Sequence, residues 1–156
     1  MLFRSKAMFK RGELWFLIKL LLFALIFFLP RVEWFPFPLG LRILGLALIA
    51  IGGVFGAGGA LALGHNLSPF PKPIEGGALV TTGVYGLVRH PIYTGLILGT
   101  LGCGIFLENL LGIALAVALF IFFDLKSRRE ERWLVETYPG YADYRLLVKK
   151  LAPWVY

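Results

Sequence analysis

The sequence has few charged residues and a single cysteine, and each scarcity excludes a class of protein. Charged residues make up 16% of the 156 residues, whereas soluble domains have about 25%. This composition argues against a soluble domain and a disordered chain, and it argues against a nucleic-acid module despite the formal charge of +7. Because Cys103 is the only cysteine, the chain has neither an intramolecular disulfide framework nor a cysteine-based zinc site.

Long apolar blocks account for much of the sequence. Apolar residues make up 58% of the chain, against about 45–50% in soluble domains. A helix that spans a bilayer needs about 20 mostly apolar residues. Residues 14–30 and 39–63 each offer one span, and residues 91–123 offer two if the helix breaks near residues 108–110. The sequence therefore predicts an all-α, polytopic membrane helical bundle with about four transmembrane helices.

Lysine and arginine are distributed unequally between the two sides of this bundle. Four precede the first span, two lie in the loop between the second and third spans, and seven follow the fourth. The opposite side has only Arg31 and Arg42, and Lys19 lies inside the first span. Because cytoplasmic loops are enriched in Lys and Arg, both termini are predicted to be cytoplasmic, with a C-terminal helical cap on that side. The basic surplus is also expected to contact anionic headgroups.

Glycines recur at a regular spacing in two of the predicted spans. Gly52 and Gly56 lie in the second span, and Gly95 and Gly99 lie in the third. A four-residue spacing of small residues lets membrane helices approach closely. We expect these glycines to form a packing face.

The loop of residues 64–90 holds many of the polar residues and leads into the third span. Pro91 suits the first turn of a helix, so this span is predicted to begin there, with His90 at its N-cap edge. Tyr93 lies on the same helix face as His90, and the free N–H groups of a helix start favour an anion such as a carboxylate. The alternative is that Arg89 and His90 mark the membrane interface and that Tyr93 belongs to an aromatic belt.

The tail from Asp124 onward is the second polar stretch, and it is expected to continue the fourth helix out of the bilayer. Glu130 and Glu131 point about 100° apart on a helix. At most one is expected to face inward while the other pairs with a neighbour such as Arg128. The alternative is a solvated face laced with ion pairs. Residues 138–141 are predicted to break the helix, and the apolar end, residues 151–156, is expected to fold back onto the bundle.

These motifs follow one another in a characteristic order. The order is Val80-Thr81-Thr82-Gly83-Val84-Tyr85, then Arg89-His90-Pro91-Ile92-Tyr93-Thr94-Gly95, one hydrophobic hairpin, Glu130-Glu131, and finally Tyr141 and Tyr144. Over about residues 66–154 the sequence resembles the isoprenylcysteine carboxyl methyltransferase family and the related phospholipid methyltransferases. The resemblance implies one integral membrane methyltransferase domain over residues 1–156. Residues 1–63 would form two spans, and residues 64–156 the cofactor-binding loop, the helical hairpin and the C-terminal cap.

The resemblance also implies a reaction. S-adenosylmethionine would donate a methyl group to a lipophilic acceptor that enters from the bilayer, and S-adenosylhomocysteine would be the product. The leading acceptor is a carboxylate of isoprenylcysteine type, and the alternatives are a phospholipid amine and a small thiol. Membrane lipids are the other expected partners, and neither a metal nor a nucleic acid is expected. Two alternative functions are not enzymatic: a non-catalytic membrane assembly protein, and a small transporter or channel subunit.

Site residues follow from the same resemblance. The implied cofactor-binding residues are Gly77, Ala78, Leu79, Val80, Tyr85, His90, Tyr93 and Glu130. The candidate catalytic residues are Lys126, Arg128 and Glu131, and the candidate substrate-binding residues are Lys126 and Arg129. An amine or thiol acceptor must lose a proton, which makes Glu131 or His90 a candidate base. The tail around Tyr141 and Trp154 is a candidate wall of the adenine slot, together with Leu79, Val80 and Tyr85.

Overall fold

The computed structural model describes residues 37–68 and 76–156 together with Leu17. Within these ranges the chain forms four α-helices, α1 (Leu39–Leu63), α2 (Pro91–Phe106), α3 (Leu110–Thr137) and α4 (Tyr141–Leu147). Two 3₁₀ turns, Gly64–Asn66 and Gly83–Gly86, lie between α1 and α2. The first predicted span, residues 14–30, lies outside the described residues apart from Leu17, and so does Lys19.

The helix ends fall where the sequence predicted them. α2 has His90 as its N-cap residue and Pro91 in its first turn. The 91–123 region breaks after Phe106, and the side chain of Asn109 caps α3 by accepting a hydrogen bond of 3.1 Å from the N–H of Leu111. α1 and α3 are long and apolar enough to cross a bilayer, whereas α2 has 16 residues, fewer than the roughly 20 that a perpendicular span needs.

The predicted glycine face joins α1 to α2. A Cβ added at Gly95 would lie 2.5 Å from the carbonyl oxygen of Gly52 and from the nitrogen of Gly56. A Cβ added at Gly52 would lie 2.7 Å from the nitrogen of Gly99. The two backbones are therefore in direct contact, as small residues permit in membrane helices, and this prediction is confirmed.

α2 also packs against α3, so it lies between the two longer helices. The turn between α2 and α3 is tight because Gly104 of α2 meets Gly112 of α3. Further along, the apolar cluster of α3 packs against the first two turns of α2. The cluster consists of Leu115, Leu119, Phe122 and Phe123, in contact with Tyr93, Leu96 and Ile97. This packing brings the start of α2 alongside the polar half of α3.

The C-terminal segment folds back onto the start of α2, as expected. α3 continues to Thr137, and α4 follows the break at residues 138–140. The N–H groups of Arg89 and His90 donate to the carbonyls of Lys149 and Lys150 at 2.8 and 3.1 Å. The hydroxyl of Thr94 donates to the carbonyl of Leu151 at 2.7 Å. The chain end is thus fixed to the helix start that carries His90 and Tyr93.

Candidate active site

Tyr93 is the centre of a cluster between α2 and α3. Its hydroxyl donates to Oε2 of Glu130 at 2.6 Å. Its ring stacks on His90 and on Phe123, with centroids 5.2 and 4.5 Å away. The ammonium nitrogen of the buried Lys126 lies 4.8 Å from the centroid of the Tyr93 ring. Phe123, Lys126 and Glu130 follow one another at three- and four-residue intervals, which places them on one face of α3.

Glu131 points to a different part of the start of α2. Its Oε1 accepts a hydrogen bond of 2.9 Å from Nε of Arg89 and lies 3.1 Å from Nε2 of His90. All three side chains are at most 10% exposed. Both neighbouring glutamates therefore bond to α2, and the predicted arrangement, with one inward and one paired along its own helix, is wrong. The physical reason is that the start of α2 supplies a tyrosine to one carboxylate and a cation to the other.

Arg128 was expected to pair with Glu131, and it pairs with Asp124 instead. Its Nε donates to Oδ2 of Asp124 at 2.9 Å, one helical turn away. Asp124 also accepts hydrogen bonds of 2.7 Å from Nζ of Lys150 and from the hydroxyl of Tyr156. Arg128 thus belongs to a polar network that fixes the chain end to α3, and its side chain is 61% exposed.

Arg129 lies apart from the Tyr93 cluster as well. Its guanidinium carbon is 5.5 Å from the ring centroid of Trp133, one turn further along α3. Three basic residues were predicted from the sequence to take part in the site. Within residues 37–68 and 76–156, only Lys126 of these three is in contact with Tyr93. The structure therefore brings together Tyr93, His90, Glu130 and Lys126, whereas Arg128 pairs with Asp124 and Arg129 lies over Trp133.

Arg89 is a site residue that the sequence reasoning passed over. Besides Glu131, its guanidinium bonds to the carbonyl oxygens of Arg145 and Val148 at the end of α4. One side chain therefore joins the start of α2 to α3 and to the end of α4. The signal was present, since Arg89 directly precedes His90 in the motif, but its partners are 42 to 59 residues away along the chain.

The strip of residues 77–80 contacts Asn66 and the start of α4. The side chain of Asn66 bonds to both the N–H and the carbonyl of Ala78, at 3.3 and 3.2 Å. Leu79 faces the start of α4, because a Cβ added at Gly140 would lie 3.8 Å from its Cδ2. Gly77, Leu79 and Val80 are half-buried, and Ala78 is exposed.

Tyr85 follows this strip along the chain and bonds to α4. It is buried, and its carbonyl accepts a hydrogen bond from the hydroxyl of Tyr144. Burial raises the pKa of Tyr85 well above its ordinary value, and the nearby Glu130 carboxylate raises it further. The phenol therefore stays protonated beside Glu130, with Leu79 and Val80 on the same stretch of chain.

Two tail residues that were candidates for an adenine slot differ in their placement. Trp154 is 86% exposed, so it does not wall a slot, because the turn that contains it carries the indole away from the bundle. Tyr141 is 2% exposed, and its buried hydroxyl has no hydrogen-bond partner within residues 37–68 and 76–156. An unpaired buried hydroxyl is unfavourable, and Tyr141 differs in this respect from Tyr144, whose hydroxyl donates to the carbonyl of Tyr85.

Comparisons with known proteins show the family to which the chain belongs. The sequence matches the family model described as phospholipid methyltransferase over residues 41–140. The chain belongs to the phospholipid methyltransferase family. Among solved structures, this family member is similar to the eukaryotic intramembrane Ras methyltransferase, isoprenylcysteine carboxyl methyltransferase. The TM-score is 0.67 at 27% identity, over 92% of this chain and 50% of that chain.

Two curated proteins are also similar to this chain. The protein-S-isoprenylcysteine O-methyltransferase of Saccharomyces cerevisiae is 29% identical over 136 residues, which are 83% of this chain and 57% of the yeast protein. The cobalt-zinc-cadmium resistance protein CzcN of Cupriavidus metallidurans is 42% identical over 67 residues, which are 42% of this chain and 31% of that protein. The predicted resemblance is confirmed. This family member spans little more than half the length of the yeast relative and less of CzcN.

Proposed function

We propose that this protein is an integral membrane methyltransferase that uses S-adenosylmethionine to methylate the carboxylate of a lipophilic, isoprenylcysteine-type acceptor. The observation that carries the proposal is the 2.6 Å bond from Tyr93 to Glu130 beside the buried ammonium group of Lys126. All three residues lie within the range that matches the family. The names of the yeast relative and of the solved neighbour support this acceptor class.

The residues around Tyr93 fit S-adenosylmethionine as a cofactor. Glu130 would accept hydrogen bonds from its amino group, and Tyr93 holds that carboxylate in place. Leu79, Val80 and Tyr85 would form an apolar wall for its adenine ring, next to the backbone of Gly77 and Ala78. When bound, the cofactor supplies an electrophilic methyl group on a sulfonium. His90 supports the ring of Tyr93 by stacking, so its role is to position that residue.

Lys126 is the residue that we assign to the acceptor carboxylate. A charge-assisted hydrogen bond from an ammonium group to a carboxylate is among the stronger polar contacts, and burial of Lys126 strengthens its electrostatic attraction. Holding the acceptor oxygen close and aligned contributes several kcal/mol to a displacement reaction. A carboxylate acceptor needs no base. Glu131 is already bonded to Arg89 and His90, which favours this acceptor over an amine or thiol that must lose a proton.

The proposal includes a topology. α2 would cross the bilayer between α1 and α3, and with residues 14–30 as a further span the bundle would have about four. The charged part of α3, α4 and the C-terminal segment would form one cytoplasmic cap, with both termini on that side. The ion pair of Arg42 with Glu108 supports this assignment, because it lies at the opposite end of the helices from Glu130. Residues 1–156 would then form one domain.

Titration of S-adenosylhomocysteine into detergent-purified protein tests the cofactor site. We expect calorimetry to give measurable binding by the wild type and affinity lower by about tenfold or more in Glu130→Gln, since a hydrogen bond to a charged group contributes about 1.5–3 kcal/mol. Glu136→Gln is the matched control, because Glu136 is exposed on the same helix. A folded wild type that binds no S-adenosylhomocysteine contradicts the proposal.

An acceptor comparison tests the substrate class. The protein would be given S-adenosylmethionine with N-acetyl-S-farnesylcysteine, with phosphatidylethanolamine or with an alkyl thiol, in vesicles. We expect methyl transfer to the farnesylcysteine carboxylate. Transfer to phosphatidylethanolamine alone would support the amine reaction that the description of the matching family model suggests, and it would contradict the carboxylate assignment.

A further inference from the structure

Tyr141 is a buried polar residue that the proposed reaction leaves unused. It is 2% exposed, and its hydroxyl oxygen finds no hydrogen-bond partner in the described part of the chain. A hydroxyl buried in this way lowers the stability of the ligand-free protein. Such a group is usually retained where a ligand or an ordered water satisfies it.

The residues beside Tyr141 in the chain contact the apolar part of the candidate cofactor site. Tyr141 begins α4 directly after Gly140, which faces Leu79 of the 77–80 strip. One turn further, Tyr144 bonds to the backbone of Tyr85. The start of α4 thus contacts the residues proposed to enclose the adenine ring, while the amino-acid part of the cofactor is assigned to Glu130 and Tyr93.

The charge around Tyr141 makes its hydroxyl a donor. Burial raises the pKa of Tyr141 far above its ordinary value. The carboxylates of Glu131 and Glu130 and the phenol of Tyr144 raise it further, and the guanidinium of Arg89 opposes them. The N–H groups of Arg89 already bond to Glu131 and to two carbonyls of the α4 region. The proton of Tyr141 is therefore retained and free for an acceptor atom of a ligand.

We infer that the Tyr141 hydroxyl binds the nucleoside half of the methyl donor by donating a hydrogen bond to a ring nitrogen or a ribose oxygen. This inference rests on the proposed function. It makes Tyr141 a binding residue at the start of α4, so the C-terminal segment takes part in recognising the cofactor as well as in closing the fold.

Two tyrosine-to-phenylalanine variants test the inference with matched chemistry. In the ligand-free protein, Tyr141→Phe should keep or raise the melting temperature because it removes an unpaired polar group. Tyr144→Phe should lower the melting temperature because it breaks the bond to Tyr85. Calorimetric titration of S-adenosylhomocysteine and of 5′-methylthioadenosine, which lacks the amino-acid part, gives the second readout. Tyr141→Phe should weaken both ligands by the same factor, roughly two- to tenfold for one hydrogen bond.

Glu130→Gln separates the two halves of the cofactor in the same experiment. It should weaken S-adenosylhomocysteine while leaving 5′-methylthioadenosine unchanged. Three outcomes overturn the inference for Tyr141: unchanged affinity for both ligands in Tyr141→Phe, a loss confined to S-adenosylhomocysteine, and a fall in ligand-free melting temperature equal to that of Tyr144→Phe. If the wild type binds neither ligand, the proposed function fails as well, whereas binding that Tyr141→Phe does not alter contradicts this inference alone.

Discussion

The glycine face of α2 and its polar start are packed in opposite ways. Along its length, glycines bring its backbone against α1, and a Cβ at Gly102 would lie 2.6 Å from the carbonyl oxygen of Gly45. At its start, Arg89, His90 and Tyr93 bond to the two neighbouring carboxylates of α3. The glycine face is held by close contact of backbones, which is how helices associate in lipid. The polar start is held by charge and hydrogen bonding.

The contrast shows how one short helix can position a site. The glycine contacts fix the axis of α2 against α1, and the aromatic and aliphatic contacts fix it against α3. Tyr93 then reaches Glu130, and its ring lies beside Lys126. The apolar contacts of α2 therefore help to determine where the reactive groups lie, and the residues at its polar start determine which groups they are.

Removing the Arg89 cation at the polar start of α2 should have the largest effect on stability. Arg89→Met leaves the Glu131 carboxylate buried without its guanidinium and frees two carbonyls of the α4 region. We expect a loss of about 3–5 kcal/mol, as for other broken buried ion pairs, measured by chemical or thermal unfolding in detergent.

Arg42→Met is the control for that experiment, because its side chain is 49% exposed and the side chain of Arg89 is 10% exposed. Exposed ion pairs contribute about 0–1 kcal/mol. Equal losses in the two variants would show that Arg89 is not buried against Glu131 in the folded protein.

A methyl group on the glycine face should have the next largest effect. In Gly95→Ala the new Cβ would collide with backbone atoms of Gly52 and Gly56, and forced overpacking costs about 1–3 kcal/mol. We expect a lower melting temperature and weaker cofactor binding together, because a shift of α2 also moves Tyr93.

Gly99→Ala provides the same substitution on the same helix at a position where a Cβ meets nothing within 4 Å. Its melting temperature should stay within the error of the wild type. If Gly95→Ala and Gly99→Ala have the same melting temperature, the direct contact between the two backbones is not what holds α2 against α1.

Lys126→Met should have a smaller and more specific effect. It keeps most of the buried stem and removes the ammonium group over Tyr93, so the KM for a carboxylate acceptor should rise by about tenfold. The affinity for S-adenosylhomocysteine should change little. Arg129→Met is the control, since Arg129 lies over Trp133, and the opposite pattern in the two variants would assign the acceptor to the other basic residue.

The bounds of α2 and its glycine face were predictable from the sequence because their signals are local. Pro91 starts the helix, the break before the next helix was predicted near residues 108–110, and the spacing of Gly52 with Gly56 and of Gly95 with Gly99 predicts the packing face. Each of these signals acts within a few residues or along one helix. The structure agrees with all of them.

At the polar start of α2, the sequence predicted which residues take part. It did not predict which of them pair with one another. The rule for neighbours on one helix favoured Arg128 as the partner of Glu131, whereas the actual partner, Arg89, lies 42 residues earlier. The partners of Asp124 among the last residues, Lys150 and Tyr156, lie 26 and 32 residues later. Such pairs depend on how the helices cross and where the tail returns, which a local pattern does not encode.

Alkaline pH should also distinguish the polar start of α2 from its glycine face, because it should weaken the contacts around the polar start. Burial raises the pKa of Tyr144 from its ordinary value of 10.0 to about 12, with Arg89 lowering it and Glu131 raising it. The unfolded chain therefore ionises Tyr144 from pH 10, while the folded chain keeps the proton until about pH 12. This contribution to stability is complete below pH 10 and is lost as the pH rises towards 12.

Tyr144→Phe should abolish that contribution, because phenylalanine does not ionise. At pH 8 the variant should melt below the wild type, since it lacks the bond to Tyr85. As the pH rises from 10 towards 12, the wild type should lose stability faster, so the gap in melting temperature should narrow. Lysines titrate equally in both proteins, so the gap isolates Tyr144. A gap that stays constant over this range would mean that Tyr144 ionises alike in the folded and unfolded chains, and the tail would then not bury it against Tyr85.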